Sequence, residues 1–245
     1  MTAMRRAVVV GATSGIGREV ARQLAGEGWL VGVAGRRKER LEQLVQTTQG
    51  IEAYECLDVT SEDASDALQR LIDKLGGMDL YFHSSGIGWQ NVGLDVPREL
   101  ATVATNGAGF VRMLTFAFRY FEEERVSGHI ACITSIAGTK GLGAAPAYSA
   151  TKRFQSHYVQ CLAQLARIRG LHIKFTDLRP GFVATDLIAG SRFPLQMRAD
   201  DVARCMVRAV KHGRRRMVID WRYALLVALW RLIPDGLWER MKVHA

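Results

Sequence analysis

A doubly wound α/β domain on a parallel sheet is what this sequence predicts, and three observations predict it. Short apolar runs at residues 7–10, 30–34, 51–57, 78–83, 129–134 and 171–177 alternate with stretches of helical pattern. That alternation builds a parallel sheet covered by helices. The first run leads straight into a glycine-rich turn, Gly11-Ala12-Thr13-Ser14-Gly15-Ile16-Gly17. The chain's 245 residues are 48% apolar, enough for one domain with a sizeable core.

Composition excludes several classes. The chain enters its first strand almost at once, which leaves no room for a signal peptide and makes a cytoplasmic location the expectation. Cys56, Cys132, Cys161 and Cys205 are scattered without metal-ligand or redox spacing, so they read as reduced fillers and no metal is expected. The net charge of +9 invites a nucleic acid partner, but no recognition motif accompanies it, and none is expected.

In the glycine-rich turn, glycine permits a tight bend and close approach of backbone to a pyrophosphate. The helix that follows over residues 15–27 aims its free N–H groups at that anion. The second strand, residues 30–34, decides between cofactors. An acidic residue at its end would accept from the ribose 2′-hydroxyl of NAD; this chain has Gly35-Arg36-Arg37-Lys38 instead. Guanidinium groups bind phosphate bidentately, so the 2′-phosphate of NADP(H) is the expected guest. Arg36 is its principal contact and Arg37 a helper, while Lys38 and Arg40 read as solvating a helix face. Residues 41–48 are helical, and residues 51–57 form a strand ending at Asp58-Val59. Residues 61–74 form a helix with Ser61 as N-cap and an acidic first turn. The fourth strand, residues 78–83, follows the Gly76-Gly77 turn. Residues 97–123 read as one long helix in which the polar Asn106, beside Gly107 and Gly109, marks an irregularity.

The chemistry gathers in residues 135–152. Ser135 follows a strand, and a loop of small residues leads to Tyr148, with Lys152 four positions later. If Tyr148 opens a helix, Lys152 lies on the same face. Its ammonium would then lower a phenol pKa that is about 10 in water, so that Tyr148 could pass a proton to or from a substrate oxygen. Ser135 would stabilise charge developing on that oxygen. After the helix of residues 148–169 and the strand at 171–177 comes Arg179-Pro180-Gly181-Phe182-Val183-Ala184-Thr185-Asp186, a turn fixed by proline and glycine.

The glycine-rich turn, Asn106, Ser135 and Tyr148-Ser-Ala-Thr-Lys152, in this order, resemble the short-chain dehydrogenase/reductase family over residues 7–186. The resemblance implies a single Rossmann-type domain over residues 1–220. It implies hydride transfer between NADP(H) and a carbonyl or secondary alcohol, with Asn106, Ser135, Tyr148 and Lys152 as the catalytic set. Tyr148 would be the proton donor, Lys152 would hold the nicotinamide ribose, and Asn106 would bend its helix through a relay water. Cofactor contacts are implied at Gly11, Thr13, Ser14, Gly15, Ile16, Gly17, at Asp58 and Val59 beside the adenine, at Tyr148 and Lys152, and at Pro180, Gly181, Val183 and Thr185. One departure stands out: His83-Ser84-Ser85-Gly86 replaces the family's Asn-Asn-Ala-Gly. Ser84, Ser85 and Gly86 keep a backbone approach to the cofactor, and His83 reads as a structural hydrogen-bonder. The family's pairing through its long helices, here 97–123 and 148–169, implies a homodimer or homotetramer. Rival readings are an NAD-preferring alcohol dehydrogenase and a non-catalytic NADP(H)-binding sensor or scaffold.

The end of the chain is the least family-like part. Residues 186–198 form a short substrate lid carrying Leu187, Ile188, Phe193, Leu195 and Met197, which suggests an apolar or lipid-like substrate. Residues 200–212 read as a helix and 217–220 as the last strand. Residues 221–245 form an apolar, basic helical extension. From Lys211 onward there are eight Lys/Arg against three Asp/Glu. The apolar run 224–230 is far below the roughly 20 residues needed to span a bilayer. Tryptophans beside arginines suit peripheral contact with an anionic membrane surface; packing on the chain's own domain or on a partner subunit is the preferred reading.

Overall fold

The structure, a computed structural model, describes residues 4–186 and 195–243. A seven-stranded parallel sheet lies at its centre. The strands are β1 (Arg6–Val10), β2 (Leu30–Gly35), β3 (Ile51–Cys56), β4 (Leu80–His83), β5 (Gly128–Ile133), β6 (Ile173–Arg179) and β9 (Arg216–Val218), in the order β3-β2-β1-β4-β5-β6-β9. A two-stranded parallel pair, β7 (Val183–Ala184) and β8 (Met197–Arg198), sits outside it. The winding direction reverses between β1 and β4, and in such sheets that switch point opens a crevice at the carboxyl ends of the strands.

Alternation along β1 shows how the sheet separates two cores. Ala7 and Val9 face one cluster and Val8 and Val10 the other, all fully buried, as a side-chain period of two requires. The first face is covered by α1 (Gly15–Gly26), α2 (Lys38–Thr47), α7 (Ala199–Lys211) and α8 (Trp221–Leu232). The second is covered by α3 (Ala64–Leu75), α5 (Phe110–Glu123) and α6 (Pro146–Ile168). The doubly wound α/β class read from the sequence is the class observed.

Three local expectations are corrected. Ser61 does not cap a helix: α3 begins at Ala64, with Asp63 as its N-cap residue. The chain first turns on Asp58, whose carboxylate accepts from both the N–H and the hydroxyl of Thr60. The long helix of residues 97–123 is three pieces, α4 (Val96–Val103), a π-helical turn (Ala104–Gly109) and α5. Asn106 lies within that turn, at the irregularity the resemblance implied and its flanking glycines fit. The lid expectation fails for Met197, which pairs with Val183 and is buried in the core. Leu187, Ile188 and Phe193 lie outside the described residues.

The carboxyl-terminal extension is half docked. Tyr223 is buried, with its ring against Gly181, where an added Cβ would come within 2.3 Å. Its hydroxyl accepts from Phe182 N at 3.2 Å and donates to Leu195 O at 3.1 Å. Farther on, α9 (Asp235–Trp238) brings the Trp238 indole N–H to Gly141 O at 2.6 Å. Lys140 donates to Ile233 O at 2.8 Å and pairs with Asp235. The opposite side of α8 leaves Trp221, Leu225, Leu229 and Leu232 exposed. Among the described residues no helix is long and apolar enough to cross a membrane.

Candidate active site

The glycine-rich turn leaves β1 at the switch point. Gly11 has φ +93°, and a Cβ there would stand 2.5 Å from Ser85 N, so only glycine allows the β1 and β4 exits to meet. Ser84 N donates to Val10 O at 2.7 Å across the same gap. Gly15 opens α1, and Thr185 packs its methyl against it. Gly15, Ile16 and Gly17 therefore present the unpaired N–H groups of a helix start to a concave edge lined by small residues. That edge is a cradle suited to a dinucleotide pyrophosphate.

The two arginines after β2 behave differently. Arg37, read as the helper, docks on the turn: its Nε and Nη2 donate to Thr13 Oγ1 at 3.0 and 2.7 Å, and Nη2 donates to Ser14 Oγ at 2.6 Å. Its Nη1 reaches Asp186 at 3.2 Å, where Arg40 arrives at 3.1 Å. These bonds, Arg37's first, hold the Asp186 carboxyl below its ordinary pKa. Arg40 thus does more than solvate a helix face. The Arg36 side chain is 67% exposed and, among the described residues, pairs only with Asp58, at 3.9 Å, which leaves its guanidinium open to a ligand. Burial opposes ionisation of Asp58, but Thr60's bonds and Arg36 outweigh it and keep the carboxyl's pKa low. Val59 is buried and its carbonyl accepts from Arg112 at 2.8 Å.

On the other side of the switch point, α6 starts two residues before Tyr148, so Tyr148 and Lys152 share one face. Glu99 fastens that start, accepting from Ala147 N at 2.9 Å while also holding Asn91 at 2.8 Å. Ser135 is buried; its Oγ accepts from Ala137 N at 3.1 Å and donates to Pro180 O at 3.4 Å. Gly88 lies against the Tyr148 ring, where a Cβ would come within 2.2 Å. The expected lowering of the Tyr148 pKa is not what the site produces. Burial raises it, and the hydrogen-bonding Ser135 hydroxyl pulls it back only in part. The Lys152 ammonium sits 5.6 Å from the ring centroid, and its own pKa falls to about 8 through burial.

Behind Lys152 runs a protein relay that the sequence did not disclose. Lys152 Nζ donates to Ile133 O at 3.2 Å and to Gln155 Oε1 at 3.0 Å. Gln155 Nε2 then donates to Asn106 O at 2.9 Å. The Gln155 amide therefore links lysine and asparagine directly. The Asn106 side chain clamps Ile87, accepting from its N–H at 2.9 Å and donating to its carbonyl at 2.7 Å. His83 is fully buried against Tyr81 and Phe110. Burial and the charge of Lys152 push its pKa down to about 3, so it stays neutral, as a structural group should. Among the described residues no His, Cys, Asp or Glu cluster could hold a metal ion.

The sequence signal available for Gln155 was its place three positions after Lys152, on the same helix face. Gly88 and Glu99 gave none, because their partners lie far along the chain.

Comparison with known proteins gives one consistent answer. The family described as short chain dehydrogenase matches residues 5–193. An uncharacterised oxidoreductase of Myxococcus xanthus is 32% identical over 96% of this chain and 95% of its own length. Farnesol dehydrogenase of Aedes aegypti is 31% identical over 76% of this chain and 80% of its own. The crystal structure of an actinorhodin polyketide ketoreductase variant with NADPH aligns with a TM-score of 0.75 and 26% identity, over 88% of this chain and 95% of that one. With the glycine cradle, the strand order and these likenesses together, the chain belongs to the short-chain dehydrogenase family of oxidoreductases.

Proposed function

We propose that this oxidoreductase uses NADP(H) to interconvert a carbonyl and a secondary alcohol on an apolar substrate. The observation that carries the reading is the convergence of Ser135, Tyr148 and Lys152 at the carboxyl edge of the sheet, beside the glycine cradle. The cradle suits a dinucleotide, because the unpaired N–H groups at the start of α1 open onto it beside the glycine-rich turn. Gly11, Thr13, Ser14 and the N–H groups of residues 15–17 would hold the pyrophosphate, Asp58 and Val59 the adenine, and Arg36 the 2′-phosphate. Arg37 shapes the turn from beneath and shares that charge. Ser84, Ser85 and Gly86 and the 180–185 turn with Pro180, Gly181, Val183 and Thr185 would flank the remainder. When bound, the nicotinamide supplies or accepts the hydride.

The residues manage the proton. A phenol whose pKa is raised by burial is fully protonated at neutral pH, the form required to donate to a carbonyl oxygen as hydride reaches its carbon. Ser135 stabilises the charge growing on that oxygen. Lys152 compensates the phenolate left on Tyr148, and Gln155 and Asn106 hold the ammonium in place. The exposed apolar residues Trp89, Val92 and Leu94, just past Gly88, together with a relative named for farnesol, support an apolar substrate. A homodimer or homotetramer is supported by an apolar hollow of about 540 Å³ along α4, the π turn, α5 and α6, lined by Val103, Val111 and Phe154 among others.

Four outcomes are expected. Fluorescence titration will give tight NADPH binding and NADH binding weaker by at least about tenfold, a gap that Arg36→Ser abolishes; equal affinities in the wild type would remove the 2′-phosphate assignment. Tyr148→Phe will lose turnover by a factor of at least about 10³ while titrating NADPH normally, since general acid catalysis is worth roughly 10²–10⁴; an active variant would defeat the mechanism. Gln155→Leu removes an acceptor from Lys152 and Gln155→Glu adds a charge, so the basic limb of the kcat profile should move to lower pH in the first and higher pH in the second. Identical profiles would reduce Gln155 to packing. Sedimentation velocity should show a dimer or tetramer, and a lone 27.2 kDa species would end the pairing proposal.

A further inference from the structure

We propose that the pocket between α6 and α8 is a second anion site, built for a phosphate-bearing ligand distinct from the dinucleotide. The pocket is a cavity of about 180 Å³ lined by Arg153, Ser156, His157, Gln160, Arg179, Arg216 and Arg231. Positions 153, 156, 157 and 160 form one stripe of α6, turned away from the face that carries Tyr148, Lys152 and Gln155. Arg179 ends β6, Arg216 begins β9 and Arg231 comes from α8, so three separate elements bring cations to one place.

The protein's own carboxylates balance these charges only in part: among the described residues Asp177 alone is in ion-pair range, with Asp235 interacting with Arg153 from farther off. Asp177 takes Arg179 at 2.7 Å and Arg216 at 3.5 Å, one carboxylate for two guanidiniums. Among the described residues, neither Arg153 nor Arg231 has a carboxylate within 4.0 Å. Burial, reinforced by the fields of Arg179, Arg216 and Arg153, disfavours the Arg231 cation. Like charges held this close are stabilised by an anion placed between them, and planar guanidiniums grip phosphate oxygens in pairs. A second, independent sign is Ser156. It is only 6% exposed, and its Oγ is buried with no hydrogen-bond partner among the described residues. Buried hydroxyls are rarely left so, and this one sits in the wall of the pocket. The chemistry specified is a multiply charged phosphate, free in solution or carried on a lipid headgroup beside the exposed apolar side of α8.

The site stands apart from the hydride-transfer reading, and its test separates the two. Inorganic pyrophosphate is titrated calorimetrically into the full chain with and without saturating NADPH. The expected result is saturable binding that persists with NADPH present and weakens at least about tenfold in Arg153→Ser/Arg231→Ser, with NADPH affinity unchanged. Ser156→Ala, which keeps every charge, should weaken pyrophosphate by a smaller factor and serves if the double variant folds poorly. Absence of saturable binding, or equal affinity in wild type and both variants, overturns the site. Cosedimentation with phosphatidylcholine vesicles containing phosphatidic acid, lost without that lipid and lost in the double variant, assigns the phosphate to a headgroup. Pyrophosphate binding without cosedimentation assigns it to a soluble ligand.

Discussion

A lysine ammonium, Lys152, buried to 4% exposure is the constraint around which the candidate site is arranged. Its pKa of about 8 in the fold, against about 10.4 for a free lysine, corresponds to a cost on the order of 3 kcal/mol for holding the cation there. The sign follows from the depression. The cost is present in full below pH 8, where both folded and unfolded chains are protonated, and is relieved as the pH rises toward the unfolded value. A fold tolerates such an expense when the charge is needed in place, and the partners around Lys152 are arranged to limit it. Ile133 O comes from the end of β5, Gln155 Oε1 from the same helix, and Gly86 gives the ammonium room, since a Cβ there would lie 3.4 Å from Nζ.

The π-helical turn belongs to the same arrangement. A widened turn releases backbone groups from the regular helical ladder, and the carbonyl of Asn106 is put to use by Gln155. A side-chain amide in that position is fixed by covalent attachment to α6, so the link from Lys152 to Asn106 keeps one geometry. Removing it would strand two buried polar partners, each worth about 1–3 kcal/mol. The helix irregularity and the buried cation are therefore coupled through Gln155, Asn106 and Ile87 as one hydrogen-bonded unit.

How much of this was legible in the sequence depended on the range of the interaction. The strand–helix alternation and the glycine turn are local patterns, and the parallel sheet and the position of the cradle followed from them, whereas the strand order comes from the structure. Asn106 could be placed at an irregularity because its neighbours are small. The Ser61 cap was misread because Asp58 competes for the turn with a shorter loop to Thr60. The ranking of Arg36 over Arg37 came from position after the second strand, whereas the separation of their roles depends on Thr13, Ser14 and Asp186, up to 149 residues away. Met197 looked like a lid residue because apolarity does not say which side of a two-residue strand faces the core. The Tyr148 pKa went the other way because an i, i+4 spacing fixes the face but not where the ammonium points.

The raised phenol pKa has a consequence for direction. A tyrosine lowered toward neutrality would serve oxidation and reduction alike, losing its proton as readily as giving it. Here burial holds the proton on Tyr148, and only the Ser135 hydroxyl works against that. Lys152, the charge that would favour the phenolate, keeps its ammonium at neutral pH but stands 5.6 Å from the ring centroid. Tyr148 is therefore poised as an acid, and groups that raise the Lys152 pKa secure the cation that opposes this. Among the protein's own groups, Cys132 and Asp177 already act in that sense. The balance between these fields and burial, rather than the identity of the tyrosine, sets how firmly the phenol holds its proton.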